Sequence, residues 1–366
     1  MKSTGIIKNI ETLNKKRIDI LLEKGVIKEI SDGNTLQGKV IFNGSNSFVS
    51  TGWIDLHVHA FSDFSPYGDE IDEIGIKQGV TTIVDAGSCG ADRVSELHER
   101  AKQSLTNVYS FLNISKIGLE RIDELSNMGW INQQACIKAA QQFEDMIIGL
   151  KARISSSVVK DNGVVPLERA IKISEQLKLP IMTHIGSAPP KIQDVIPLLR
   201  KGDIITHFLN GKSNNLFDQN GEPLTVLREA ISRGVKLDVG HGNASFSFEV
   251  AQQARRNYIQ FNSISSDIYK KNRIEGPVFS LSNVLTKFLY LGYTLEEIIK
   301  GVTENPAQII NKPDLAKFKE GMTANLTLFD VIDSQQNIID SHGHEITITK
   351  VIKERGVVTN GKFIEL

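Results

Sequence analysis

Gly52-Trp53-Ile54-Asp55-Leu56-His57-Val58-His59-Ala60 is an apolar run that carries two histidines two residues apart. Read as a strand, its side chains alternate between faces, so both imidazoles project from one face with Val58 turned away. Two imidazoles on one face converge on one point, and neutral imidazole is the commonest protein ligand for zinc-like metals. Taken alone, the pair is equally compatible with half-buried structural histidines satisfied by backbone. The rest of the chain has to decide.

Outward from this stretch, strand-like runs recur at 54–60, 81–86, 108–114, 146–154, 179–185, 203–209, 235–240 and 259–266. Between them, 92–104, 131–144, 167–178, 192–201, 224–233 and 248–256 place apolar residues at three- and four-residue spacing, the period of an amphipathic helix. Strand then helix, eight times over roughly 250 residues, predicts an α/β protein with a (β/α)8 TIM barrel. An open doubly wound sheet is the competing topology, but no glycine-rich dinucleotide fingerprint follows the first strand. Leu295 to Lys300, with Thr294 placed to cap it, and Glu304 to Ile310 supply further helices.

The two ends read differently. Gly5 to Glu11, Arg17 to Glu23, Val26 to Ile30 and Lys39 to Asn43 are β-rich, as are Leu326 to Phe329, Ile346 to Ile352 and Val357 to Val358. Thr359-Asn360-Gly361-Lys362 carries an Asn-Gly hairpin signal. The expected organisation is a small β-sandwich domain built from 1–48 and 313–366, flanking a hydrolase barrel over 49–312.

With 42 Lys and Arg against 43 Asp and Glu, the formal charge of the 366 residues is -1. No basic tract stands out, which argues against nucleic acid or a membrane surface as partner and for a small-molecule substrate. The first residues lack the apolar core of a signal peptide and no run is long enough to span a bilayer, so a cytoplasmic protein is expected. Cys89 and Cys136 are the only cysteines, too few for a disulfide framework. The oligomeric state, a homo-oligomer included, is left open.

In such barrels the active site lies at the C-terminal ends of the strands. There the sequence places His57 and His59 (strand one), Lys151 (four), His184 (five), His207 (six), His241 (after seven) and Asp267 (eight). Five of the eight histidines coincide at one rim, leaving His98, His342 and His344 elsewhere. Arg153, two residues after Lys151, shares its face and could meet a substrate carboxylate or serve a metal-bound group. Tyr67, Cys89 and Asn113 are further candidates to line a pocket, and His241 is read as a substrate contact.

This set resembles that of the amidohydrolase superfamily, and more narrowly a bacterial deacetylase-like branch near dihydroorotase. The branch resemblance rests on Tyr67-Gly68, on 79–88, on Gly149-Leu150-Lys151-Ala152-Arg153 and on Asp238-Val239-Gly240-His241-Gly242. The resemblance implies two divalent metal ions, usually zinc. His57, His59 and Asp267 would hold one and His184 and His207 the other, with a CO2-derived carbamate on Lys151 bridging them. It further implies hydrolysis of an acyl amide or ester, with Asp267 as general base and then acid. A dihydroorotase-like cyclic-amide hydrolase, an adenine deaminase and a non-catalytic scaffold relative are the alternatives.

Overall fold

β-rich ends and an alternating middle become two sheets in the computed structural model, which describes residues 2–366. The first sheet combines β1 (Gly5–Thr12), β2 (Arg17–Glu23), β3 (Val26–Asp32), β4 (Val40–Asn43) and β5 (Phe48–Thr51) from one end of the chain. From the other end come β13 (Leu326–Ile339), β14 (Glu345–Thr359) and β15 (Lys362–Glu365). Their order is β15-β14-β13-β5-β1-β2-β3, with β4 also paired to β1. Ile7, Ile10, Ile20, Leu22, Leu326 and Leu328 form its buried core. Asn360 and Gly361 both have positive φ, 47° and 74°, and join β14 to β15 as the two-residue turn that Asn-Gly favours.

The second sheet is the barrel: β6 (Trp53–Val58), β7 (Val80–Ala86), β8 (Asn107–Asn113), β9 (Ile147–Ile154), β10 (Ile181–Ile185), β11 (Ile204–Thr206) and β12 (Lys236–Asp238), all parallel and in sequential order. β6 and β7 are buried along their whole length, as strands covered on both faces must be. Ile54, Leu56, Val84, Phe111, Met182 and Ile204 fill the interior, where Ala307 and Ile310 join them from the segment that includes helix Glu304–Ile309.

The eighth strand expected at 259–266 is reduced to single parallel bridges, Asp238 with Ser263 and Val58 with Ile268, which close the ring. Side chains replace the regular ladder there. Ser263 and Ser265 hydroxyls donate to Asp238, and Ser266 gives both its N–H and its hydroxyl to Asp55. The helix expected over 192–201 shortens to Ile192–Val195 and a 3-10 turn, Ile196–Leu198, where Pro197 lacks an N–H. At the other end, β13 and β14 merge what the sequence reads as short strands into one long hairpin. β14 packs against a helix not anticipated, Leu281–Tyr290. Among the described residues no helix is long and apolar enough to cross a membrane.

Candidate metal centre and its pocket

The barrel strands and the segments that follow them bring His57, His59, Lys151, His184, His207 and Asp267 to one cavity of about 160 Å³. Asp267 Oδ1 lies 3.3 Å from His57 Nε2 and 3.2 Å from His59 Nε2. Lys151 Nζ is 3.2 Å from His57 Nε2. His207 stands with its ring centre 4.4 Å from that of His184 and 5.0 Å from that of His57. His57, His207 and Asp267 are the one group of three among the described residues whose ligand atoms all lie within 4.8 Å of one another. Val58, the last residue of β6 and between His57 and His59, packs into the outer core.

Hydrogen bonds behind the rings decide which nitrogen faces the cavity. Thr206 donates its only hydroxyl proton to Asp238 Oδ2 at 2.7 Å, so it can only accept from His57 Nδ1, 2.8 Å away. His207 Nδ1 lies 2.6 Å from the carbonyl of Gly240, which has no proton to give. Both rings therefore carry Nδ1–H and aim an Nε2 lone pair forward, the tautomer a metal needs. Burial, with Lys151 adding to it, pushes the pKa of His57 well below the ordinary histidine range. Burial likewise lowers His184 far and takes His207 down to about 3. Burial alone would raise Asp267, but the neighbouring His57, His59 and His207 hold it well below the usual carboxylate range. Neutral imidazoles around an ionised carboxylate are a donor set that fits divalent ions taking nitrogen and oxygen ligands.

Lys151 is 3 % exposed, and burial lowers its pKa to about 8 against the pull of Asp267 and Asp238. No carboxylate pairs with it among the described residues. Its Nζ contacts are His57 Nε2 and Met182 Sδ.

Two of the ligand candidates sit in left-handed backbone, His207 at φ 70° and Asp267 at φ 51°. Asp, Asn and His tolerate that region best among residues with a Cβ, and such conformations cluster at functional sites. Glycines make the room. A Cβ on Gly240 would stand 2.7 Å from His207 Nδ1, and one on Gly242 would stand 2.2 Å from Asp267 Oδ2. Gly242 also has φ 53°, so Gly242→Ala is expected to displace the carboxylate and lower turnover by about 10²-fold, as small misplacements at reacting groups do. Native turnover in that variant, measured on correctly folded protein, would contradict this account.

The substrate candidates divide. Arg153, Tyr67 and Asn113 line the cavity. Arg153 is already engaged: Nε and Nη2 bind the buried Glu124 carboxylate at 3.0 and 2.6 Å, and Nη2 also donates to Ile122 O. Asn113 spends its amide on Gly87 O and the Ser115 N–H. His241 and Cys89 lie outside the cavity. His241 is fully buried and stacked on Phe246; its Nδ1 lies 3.0 Å from Gly242 O, and its Nε2 accepts from Lys287 Nζ at 2.8 Å. No ring nitrogen is left for a substrate. Cys89 is fully buried, and desolvation pushes its thiol well above its ordinary range. Among the described residues His342 and His344 join no ligand cluster; their backbone N–H groups donate to Asp340.

Four residues that the sequence reading did not assign join the site. Asp238 and Thr206 orient His57, Glu124 neutralises Arg153, and Lys212 lines the cavity.

No family model matches the chain. It is 39 % identical over 355 residues to a deacetylase of Enterococcus faecalis, covering 96 % of this chain and 95 % of the relative. The crystal structure of an adenine deaminase superposes with a TM-score of 0.94 at 37 % identity, over 99 % of this chain and all of the other. That of a dihydroorotase gives 0.92 at 30 % identity, over 100 % and 99 % of the two chains.

Proposed function

The chain belongs to the amidohydrolase superfamily of metal-dependent hydrolases, on its deacetylase-like branch, and on that premise we propose that it cleaves an acyl amide or acyl ester of a small, carboxylate-bearing acid. The observation that carries this reading is the chemistry of the cavity. Its ligand candidates are joined on the wall by Lys212, by Arg153 paired with Glu124, and by the polar Ser155, Ser157, Asn243 and Ser245. With Arg153 paired to Glu124, the uncompensated charge of that wall is Lys212, which favours an anionic substrate, while Tyr67, Leu119, Val158 and Tyr269 offer apolar contact to its acyl part.

His57, His59 and Asp267 would hold one divalent metal and His184 and His207 a second, zinc in the usual case, with Lys151 bridging as its carbamate. Bound there, the ions would polarise the scissile carbonyl and bring the pKa of a water toward neutrality. Asp267 would take the proton released on attack and pass it to the leaving nitrogen or oxygen, base first and acid second. Thr206 and Asp238 would keep His57 in its ligand tautomer throughout.

The test is a hydrolysis screen on zinc-loaded protein with N-acyl and O-acyl small acids, cyclic amides and aminopurines. Highest kcat/KM is expected on the acyl acids, lost on dialysis against a chelator and regained with divalent metal. Turnover confined to aminopurines or to cyclic amides would overturn the reading.

A further inference from the structure

We propose that Lys212 is the anion anchor of the pocket, the residue that recognises the carboxylate of the substrate. The inference rests on the acyl-hydrolase reading above and names the group that would give it its charge selectivity.

The sequence offers Arg153 for that role or for service to a metal-bound group, and in the structure its Nε and Nη2 are already taken. The fork of Arg153 is turned to Glu124, a carboxylate with no exposure, and to a backbone carbonyl. The pair is formally neutral. Lys151 is committed to the ligand cluster. Lys212 is then the one cation of the cavity wall that, among the described residues, has neither a carboxylate within ion-pair distance nor a hydrogen bond on its ammonium. Only its backbone N–H is engaged, with Asn210 Oδ1 at 3.2 Å.

The loop that carries Lys212 is built to hold it in place. Two residues before it, the fully buried Asn210 donates through Nδ2 to His207 O at 2.8 Å, which ties the loop to a ligand candidate. Two residues after it, Asn214 donates to Gly186 O at 2.8 Å and to Pro190 O at 3.2 Å, and accepts from Ile192 N at 2.9 Å. Ser247 N donates to Leu209 O at 2.9 Å, fastening the loop to its neighbour. A lysine on a solvent loop has no need of two buttressing asparagines. Lys212 lines the same cavity as Asp267, and burial lowers the pKa of its ammonium. A partly desolvated, unpaired ammonium is stabilised by the arrival of an anion, and a charge-assisted bond formed there is stronger than a neutral one. On the same wall, Asn243 Oδ1 is buried without a partner among the described residues, an acceptor left for an N–H such as that of an acyl amide.

The experiment compares racemic N-acetylalanine with racemic N-acetylalaninamide, which differ in charge and little in shape, on zinc-loaded wild type, Lys212→Met and Lys212→Arg. For wild type the ratio of kcat/KM, carboxylate over amide, is expected to be well above one. In Lys212→Met this ratio should collapse at least ~10-fold, mostly through KM, and Lys212→Arg should recover part of it. A ratio unchanged in Lys212→Met overturns the proposal, including the case where both substrates lose equally because Lys212 acts through Asp267. If wild type cleaves neither compound, the acyl-hydrolase reading is decided by the wider screen of N-acyl and O-acyl acids and not by this pair. The anchor is then judged by calorimetry with the same two compounds: a wild-type preference for the carboxylate that Lys212→Met abolishes supports it, and no such preference overturns it.

Discussion

Asp267→Asn is expected to lower kcat by ~10²–10⁴-fold while metal content stays close to that of wild type. The two halves of that expectation come from the two oxygens of the side chain. Oδ1 stands 3.3 Å from His57 Nε2 and 3.2 Å from His59 Nε2, the spacing of donor atoms around one ion, and an asparagine carbonyl oxygen can occupy that position. Oδ2 lies on the side of Gly242, where a proton could be received, and an amide nitrogen cannot receive one. Backbone strain adds little to the difference, since Asn adopts the left-handed region as readily as Asp. Metal analysis beside steady-state kinetics separates the outcomes. Near-native turnover would sink the proton-transfer role. A fall in kcat that merely follows a fall in bound metal would reduce Asp267 to a ligand.

The contrast between Asp267 and His241 shows what a single sequence could disclose. A barrel advertises its rim, because strand ends recur at regular spacing and polar residues at the ends of apolar runs are conspicuous. His57, His59, His184, His207 and Asp267 are visible in that way, and Lys151 as a cation inside an apolar strand. His241 carries the same signal and turns inward. Its partner, Lys287, lies 46 residues on, in helix Leu281–Tyr290, which the periodicity reading did not delimit. In the motif at 238–242 the residues that serve the site are Asp238 and the two glycines, whose absent side chains leave room for His207 and Asp267. The missing regular eighth strand has a similar origin. Serines read as strand residues, yet here their hydroxyls bind Asp55 and Asp238 in place of a ladder. Lys212 was illegible for a plainer reason: a lysine in a polar loop is the commonest of surface features, and only the two flanking asparagine contacts set it apart.

Lys151→Ala is expected to cost both metal and activity, turnover falling by ~10³-fold or more and bound metal dropping from about two ions per chain to below one. The reason lies in how poorly an ordinary lysine fits this position. Its ammonium is enclosed in the barrel, 3.2 Å from a histidine nitrogen that is itself a ligand candidate, with no carboxylate paired to it. An isolated buried cation among metal ligands repels the metal and is costly to the fold. Addition of CO2 to the neutral amine, with loss of a proton, would reverse the sign of the charge and supply the anionic oxygen ligand that such a centre calls for. Gly87, at φ 79°, has the matching adaptation, since a Cβ there would come within 2.6 Å of Lys151 Cβ and push the chain off the centre. The carbamate account also makes reconstitution depend on bicarbonate: metal uptake by apoprotein in CO2-depleted buffer should be incomplete and should recover when bicarbonate is added. Lys151→Ala should be insensitive to bicarbonate but partly restored by a small carboxylate such as propionate, which can enter the space the side chain leaves. Full metal loading of Lys151→Ala with neither supplement would show that the lysine is not a bridge.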